Sequence, residues 1–89
     1  MKIDVNAVGT SEELHELLAK SFGFSDYDGK NWDAFDECIS ENAHVPNVIE
    51  VSGIDQLHSR LPRDAELLRQ CLSDFAEESH DPKVTVNFI

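Results

Sequence analysis

The chain has 89 residues, of which 18 are acidic and 7 basic, for a net charge of −11. That imbalance disfavours direct nucleic-acid binding and attachment to an anionic membrane surface, both of which need a basic footprint, and it favours a basic partner. A chain this short, 40% hydrophobic, is expected to fold as one domain over residues 1–89 and to have little room for a deep substrate pocket.

Residues 2–8 (KIDVNAV) alternate apolar and polar, so a strand is expected with Ile3, Val5 and Ala7 on one side. Thr10 followed by Glu13 is a capping box for a first helix. Leu14, Leu17, Leu18 and Phe22 form its apolar stripe, and Gly23 is placed to end it. Residues 24–31 read as a loop whose Asn31 caps a second helix over about 32–41, with Trp32, Phe35 and Ile39 inward. After Pro46, the run NVIEV suits a buried strand, and Gly53 breaks it. Residues 54–60 are expected as a short helix with Ile54 and Leu57 inward. Pro62 opens a longer helix lined by Leu68, Leu72 and Phe75, running to about residue 79. Residues 83–89 alternate again, with Val84, Val86 and Phe88 on one face. The order β-α-α-β-α-α-β implies an α/β fold with parallel strands joined by right-handed crossovers.

Residues 25–41 (SDYDGKNWDAFDECISE) hold six acids and one base. Asp33, Asp36 and Glu37 stand at i, i+3 and i+4, which puts them on one face of the second helix beside its apolar stripe. Like charges four apart cost a helix a few tenths of a kcal/mol. Asp33 suits the helix dipole, but Asp36 and Glu37, in mid-helix, gain nothing from it. Taken alone, such a helix reads as ordinary solvated surface. The loop before it argues otherwise: Tyr27 is a residue type favoured at interfaces for its large rigid contact area, and Gly29 lets another chain approach the backbone closely.

This segment resembles the barstar family of ribonuclease inhibitors, most densely over Tyr27-x-Gly29-x-Asn31-x-Asp33-Ala34-x-x-x-Cys38. The likeness extends to Leu14-His15, to Pro46 before the middle strand, to Phe75-x-Glu77 and to the apolar final strand. It implies a two-layer α/β fold with a three-stranded parallel sheet and about four helices. It also implies that the second helix and its preceding loop plug the active site of a small basic ribonuclease, secreted or delivered by a competitor, with a helix acid mimicking the substrate phosphate. Carried onto this chain, the contacts are Tyr27, Gly29, Asn31, Asp33, Asp36 and Glu37, with Glu77 at the edge. The family's best-known member has an aspartate where Glu37 stands, a tryptophan where Asp36 stands and a tyrosine where Asp28 stands. This surface is therefore less aromatic and more electrostatic.

The N-terminus has no apolar leader, and Cys38 and Cys71 show no knuckle or redox spacing, so a reducing cytoplasm is the expected compartment. Cys38 reads as a half-buried filler on a third side of the second helix. His15, His44, His58 and His80 each follow an acid by three residues, a spacing that can hold paired iron. In so acidic a chain it arises by chance, so no metal or cofactor is expected. Asp33 and Glu37 could form an acid–base pair, yet no nucleophile–base pair or cleft accompanies them, and no enzyme activity is expected. Two readings stand: a ribonuclease inhibitor or immunity protein, and an acidic interaction module for some other basic protein. Repulsion between acidic faces favours a monomer in either case.

Overall fold

The chain runs β1 (Lys2–Asp4), α1 (Ser11–Phe22), α2 (Trp32–Glu41), β2 (Val48–Ser52), α3 (Ile54–Arg60), α4 (Pro62–Glu78) and β3 (Thr85–Phe88). The computed structural model describes residues 1–23, 31–41, 45–79 and 83–89. The strands form one parallel sheet in the order β1-β2-β3, with Ile3 opposite Val51 and Ile49 opposite Val86. Backbone bonds at the end of the sheet extend this pairing: Val5 N–H donates to the Ser52 carbonyl at 2.9 Å, and Gly53 N–H to the Ile89 carbonyl at 2.9 Å.

Period-two burial sorts the sheet into an inner and an outer face. Ile3, Ile49 and Val51 are buried, with Val86 and Phe88 packed against the same core. Lys2, Asp4, Val48, Thr85 and Asn87 are exposed. The helices cover one face only, which is the two-layer α/β fold expected from the element order.

The first strand is shorter than its alternation suggests. The Asp4 carboxylate accepts from the Asn6 backbone N–H and side-chain amide, both at 2.9 Å, and this local bonding turns the chain out of the sheet. The same bonds hold the Asp4 carboxyl below the usual range. Past the turn, Val8 rather than Ala7 enters the core. The turn also explains Gly53. Its φ of 84° lies in the left-handed region, and a Cβ there would fall 2.4 Å from the Asn6 side chain.

The helix ends follow their caps. Thr10 Oγ1 accepts from Glu13 N–H at 3.1 Å and donates to the Glu13 carboxylate at 3.3 Å. Gly23 closes α1 at φ 73°. Pro62 starts α4, and Ser79 ends it, its hydroxyl donating to the Ala76 carbonyl at 2.6 Å while accepting from Val84 N–H at 2.9 Å. That junction sets the chain into β3. The core gathers Leu14 and Leu18 of α1, Phe35 and Ile39 of α2, Leu57 of α3, and Leu68 and Leu72 of α4, all at 0% exposure. Among the described residues, no helix is long and apolar enough to cross a membrane.

Candidate functional site

On intrinsic grounds α2 is a weak helix. Its 10 residues fall short of the ~12–15 at which isolated helices become marginal in water. Asp33 and Glu37, and again Glu37 and Glu41, are like charges four residues apart. No base in the last turn offsets the dipole, and Glu41 stands there instead. The helix exists because its surroundings hold it. The Asn31 side chain accepts from Ala34 N–H at 2.8 Å, and the Asn31 carbonyl accepts from Phe35 N–H at 3.0 Å. Phe35 and Ile39 fill the core, and the Phe35 ring meets Phe22 edge-on at 6.0 Å. Trp32 is half-buried, its ring 4.6 Å from the His15 imidazole and 5.5 Å from Phe35. Its indole N–H donates to the Asp64 carboxylate of α4 at 3.0 Å.

With its apolar side so fixed, α2 turns its acids outward, and Asp33, Asp36 and Glu37 are all exposed. By helix geometry the three lie within an arc of about 100°, with Asp33 and Asp36 toward its α4 side. Asp33 and Asp36 line an open groove of about 220 Å³ between α2 and α4, together with Trp32 and, from α4, Leu67, Gln70, Cys71 and Asp74. Glu37, about 100° further round the helix from Asp36, does not line that groove. At the groove the Cys71 thiol is pushed up to about 11, first by burial and then by the negative charges of Asp36, Asp74 and Asp33. Three carboxylates from two helices thus concentrate negative potential on one small surface around a neutral thiol. Such a surface can hold cationic side chains.

Asn31 is exposed and serves α2 as its cap. Glu77 is exposed on α4, one turn beyond Asp74. Tyr27 and Gly29 lie outside the described residues, as do His44 and His80. Cys38 is half-buried. Two residues escaped the sequence reading. Asp74 continues the line Leu67–Cys71–Asp74 at i, i+4 and i+7 along the flank of the α4 core stripe, so helical spacing was the available signal. Asp64 had none, because its bond to Trp32 joins residues 32 apart.

His15 is 1% exposed. Burial lowers its affinity for a proton, and the nearby Asp64 charge opposes that effect. No buried side-chain nitrogen or oxygen among the described residues lacks a partner. Another flank of α4 looks different. His58 lies 3.7 Å from Glu66 and the Arg69 guanidinium 5.3 Å over the Phe88 ring, so charges of both signs meet there.

A family model, Barstar (barnase inhibitor), matches residues 1–89, the whole chain. No curated protein is similar enough to the chain to be matched to it.

Proposed function

This chain belongs to the barstar family, and we propose that it acts as a member of that family, inhibiting a small basic ribonuclease by covering its active site with α2 and the loop before it. The observation that carries the reading is the bare acidic face of α2, held on a core anchored by Phe35 and Ile39. A ribonuclease active site collects Arg, Lys and His to bind phosphate. Carboxylates on a fixed helix offer the same charge pattern with no bond to cleave. Glu37 takes the part of the phosphate, and Asp33 and Asp36 hold cations toward the α4 side. Tyr27, Gly29 and Asn31 supply contacts from the loop, and Glu77 stands at the edge. Long-range attraction brings the partner in quickly and weakens with salt; tightness comes from the few charge pairs that lose water.

In this reading the chain is a monomeric, single-domain cytoplasmic inhibitor without catalytic activity, and its ribonuclease is secreted or delivered by a competitor. The test is titration calorimetry against a panel of small guanyl-preferring microbial ribonucleases, barnase included, with RNA cleavage read in parallel. The expected result is 1:1 binding with loss of cleavage, weakened by salt. Glu37→Ala is expected to cost at least about 2 kcal/mol of binding, the hot-spot threshold. A loss below about 0.5 kcal/mol would remove Glu37 as the phosphate mimic. Silence across the whole panel would overturn ribonuclease inhibition and move the acidic face to a basic partner of another kind.

A further inference from the structure

The acids of α2 can serve a partner only if the helix that carries them is held in one orientation, and α2 holds itself poorly. We propose that Asp64, on α4, is a positioning residue for this surface: by accepting the Trp32 indole N–H it fixes the start of α2 and, with it, the direction in which the acids point. The inference rests on the function proposed above and names a residue outside its contact set.

Position gives the bond its leverage. Trp32 is the first residue of α2, so the proposed contacts flank it: Tyr27, Gly29 and Asn31 before, Asp33, Asp36 and Glu37 after. Phe35 and Ile39 set which side of the helix faces the core, but apolar contact is non-directional and leaves small rotations about the helix axis open. A hydrogen bond prefers near-linear geometry, and so it limits that rotation. Its acceptor is charged, which places it in the stronger class. The other end of the tether is also firm. Asp64 is half-buried in the first turn of α4, where a carboxylate suits the dipole, on a 17-residue helix started by Pro62. His15 and Phe35 also contact the indole ring, so Trp32 is gripped by α1, its own helix and α4 together. A surface held this way loses little freedom when a partner binds, and the gain falls mainly on the dissociation rate.

The test compares Asp64→Leu, Asp64→Asn and Trp32→Phe by two readouts: hydrogen exchange of α2 amides in the free protein, and dissociation from barnase. Asp64→Leu is expected to speed exchange in the first turn of α2, relative to β2 amides, by about tenfold, and to speed dissociation similarly, the scale of one hydrogen bond to a charged group. Asp64→Asn keeps an acceptor oxygen and is expected to stay within about threefold of the parent on both. Trp32→Phe removes the donor and should reproduce Asp64→Leu, and the double variant should be no worse than either single one. If Asp64→Asn were as disruptive as Asp64→Leu, Asp64 would act through its charge and the tether would be overturned. Unchanged α2 exchange in Asp64→Leu would overturn it too. If the parent chain does not bind barnase, that result counts against the proposed function for this partner, and the exchange readout alone decides the tether.

Discussion

α2 and α4 pack against each other and differ in length and in how their charges are mixed. α2 has four acids and no base in 10 residues and keeps its form through Asn31, Phe35, Ile39 and Trp32. α4 has 17 residues and a proline at its start; like α2 it has an acid in its first turn and no base in its last. Its first half mixes Arg63 and Arg69 with Asp64 and Glu66, and only its second half, from Asp74 on, is uniformly acidic. Solubility alone would be served by acids spread evenly over both helices. Concentrating them on the helix least able to bear them, and on the stretch of α4 beside it, is what a binding surface for cations requires. The stability of this protein is thus unevenly placed: α4 supports itself, and α2 is supported.

The sharpest way to break that contrast is to remove one support. Phe35→Ala is expected to cost about 3–5 kcal/mol, as large aromatic truncations in cores do. Leu72→Ala under α4 should cost a comparable ~2–5 kcal/mol. The two should differ in where the damage lands. Hydrogen exchange is expected to show α2 losing protection as a unit in Phe35→Ala, while α4 stays helical in Leu72→Ala. Equal local losses in both helices would mean that α2 is not specially dependent on its anchors.

Binding separates the acids in the same way. Glu37→Ala, at about 2 kcal/mol or more, and Asp33→Ala after it should act mainly by speeding dissociation, with a smaller slowing of association. Asp55→Ala on α3, remote from α2 in sequence and close to the balanced half of the surface, should cost less than about 0.5 kcal/mol and act mainly on the association rate. Similar losses at Glu37 and Asp55 would reduce the acidic face to a diffuse field. Stopped-flow measurement of both rates against barnase distinguishes the two.

The contrast also shows what the residues disclose before folding. Every helix was legible, because periodicity and caps act locally: Thr10 with Glu13, Gly23, Asn31 and Pro62 mark their ends where the structure has them. The parallel sheet followed from the element order. The first strand was overread, because the Asp4–Asn6 turn competes with the ladder and period-two alternation does not register it. At the site, the α2 acids were legible from composition and spacing. The groove was not, since it needs Asp74 and Cys71 from a helix some 40 residues on, and no local pattern reports which flank of α4 meets α2.

Acid should weaken the supported helix first. Burial keeps His15 from taking up a proton in the folded chain, whereas the unfolded chain binds one as pH falls below about 6.5. The unfolded state then holds more protons, so this contribution is intact above that pH and is lost on further acidification. The urea midpoint is therefore expected to fall from pH 7 toward pH 5.5, with a smaller slope in His15→Gln. Because His15 lies against Trp32, the indole emission should report loosening of α2 in the same range. An emission that stays constant while the midpoint falls would place the acid sensitivity away from the α1–α2 contact.

The smallest expected effect is the most direct measure of what the acids cost. Glu41 stands in the last turn of α2, four residues after Glu37, exposed and outside the proposed contact set. Glu41→Lys replaces a like-charged pair by the favourable Glu-to-Lys order at i, i+4, and it places a cation at the negative end of the helix dipole. The two changes together should stabilise the protein by about 0.5–1 kcal/mol at low salt. In thermal unfolding of a chain this size, that is a rise of about 2–8 °C. The same variant lowers the long-range field, so partner association should slow slightly while dissociation is unchanged. A gain in stability with that kinetic signature means α2 carries its acids at a cost to its own folding, for a reason other than folding. No gain, or a loss, would mean that the acids of α2 are no burden, and the contrast with α4 would then lie in composition alone.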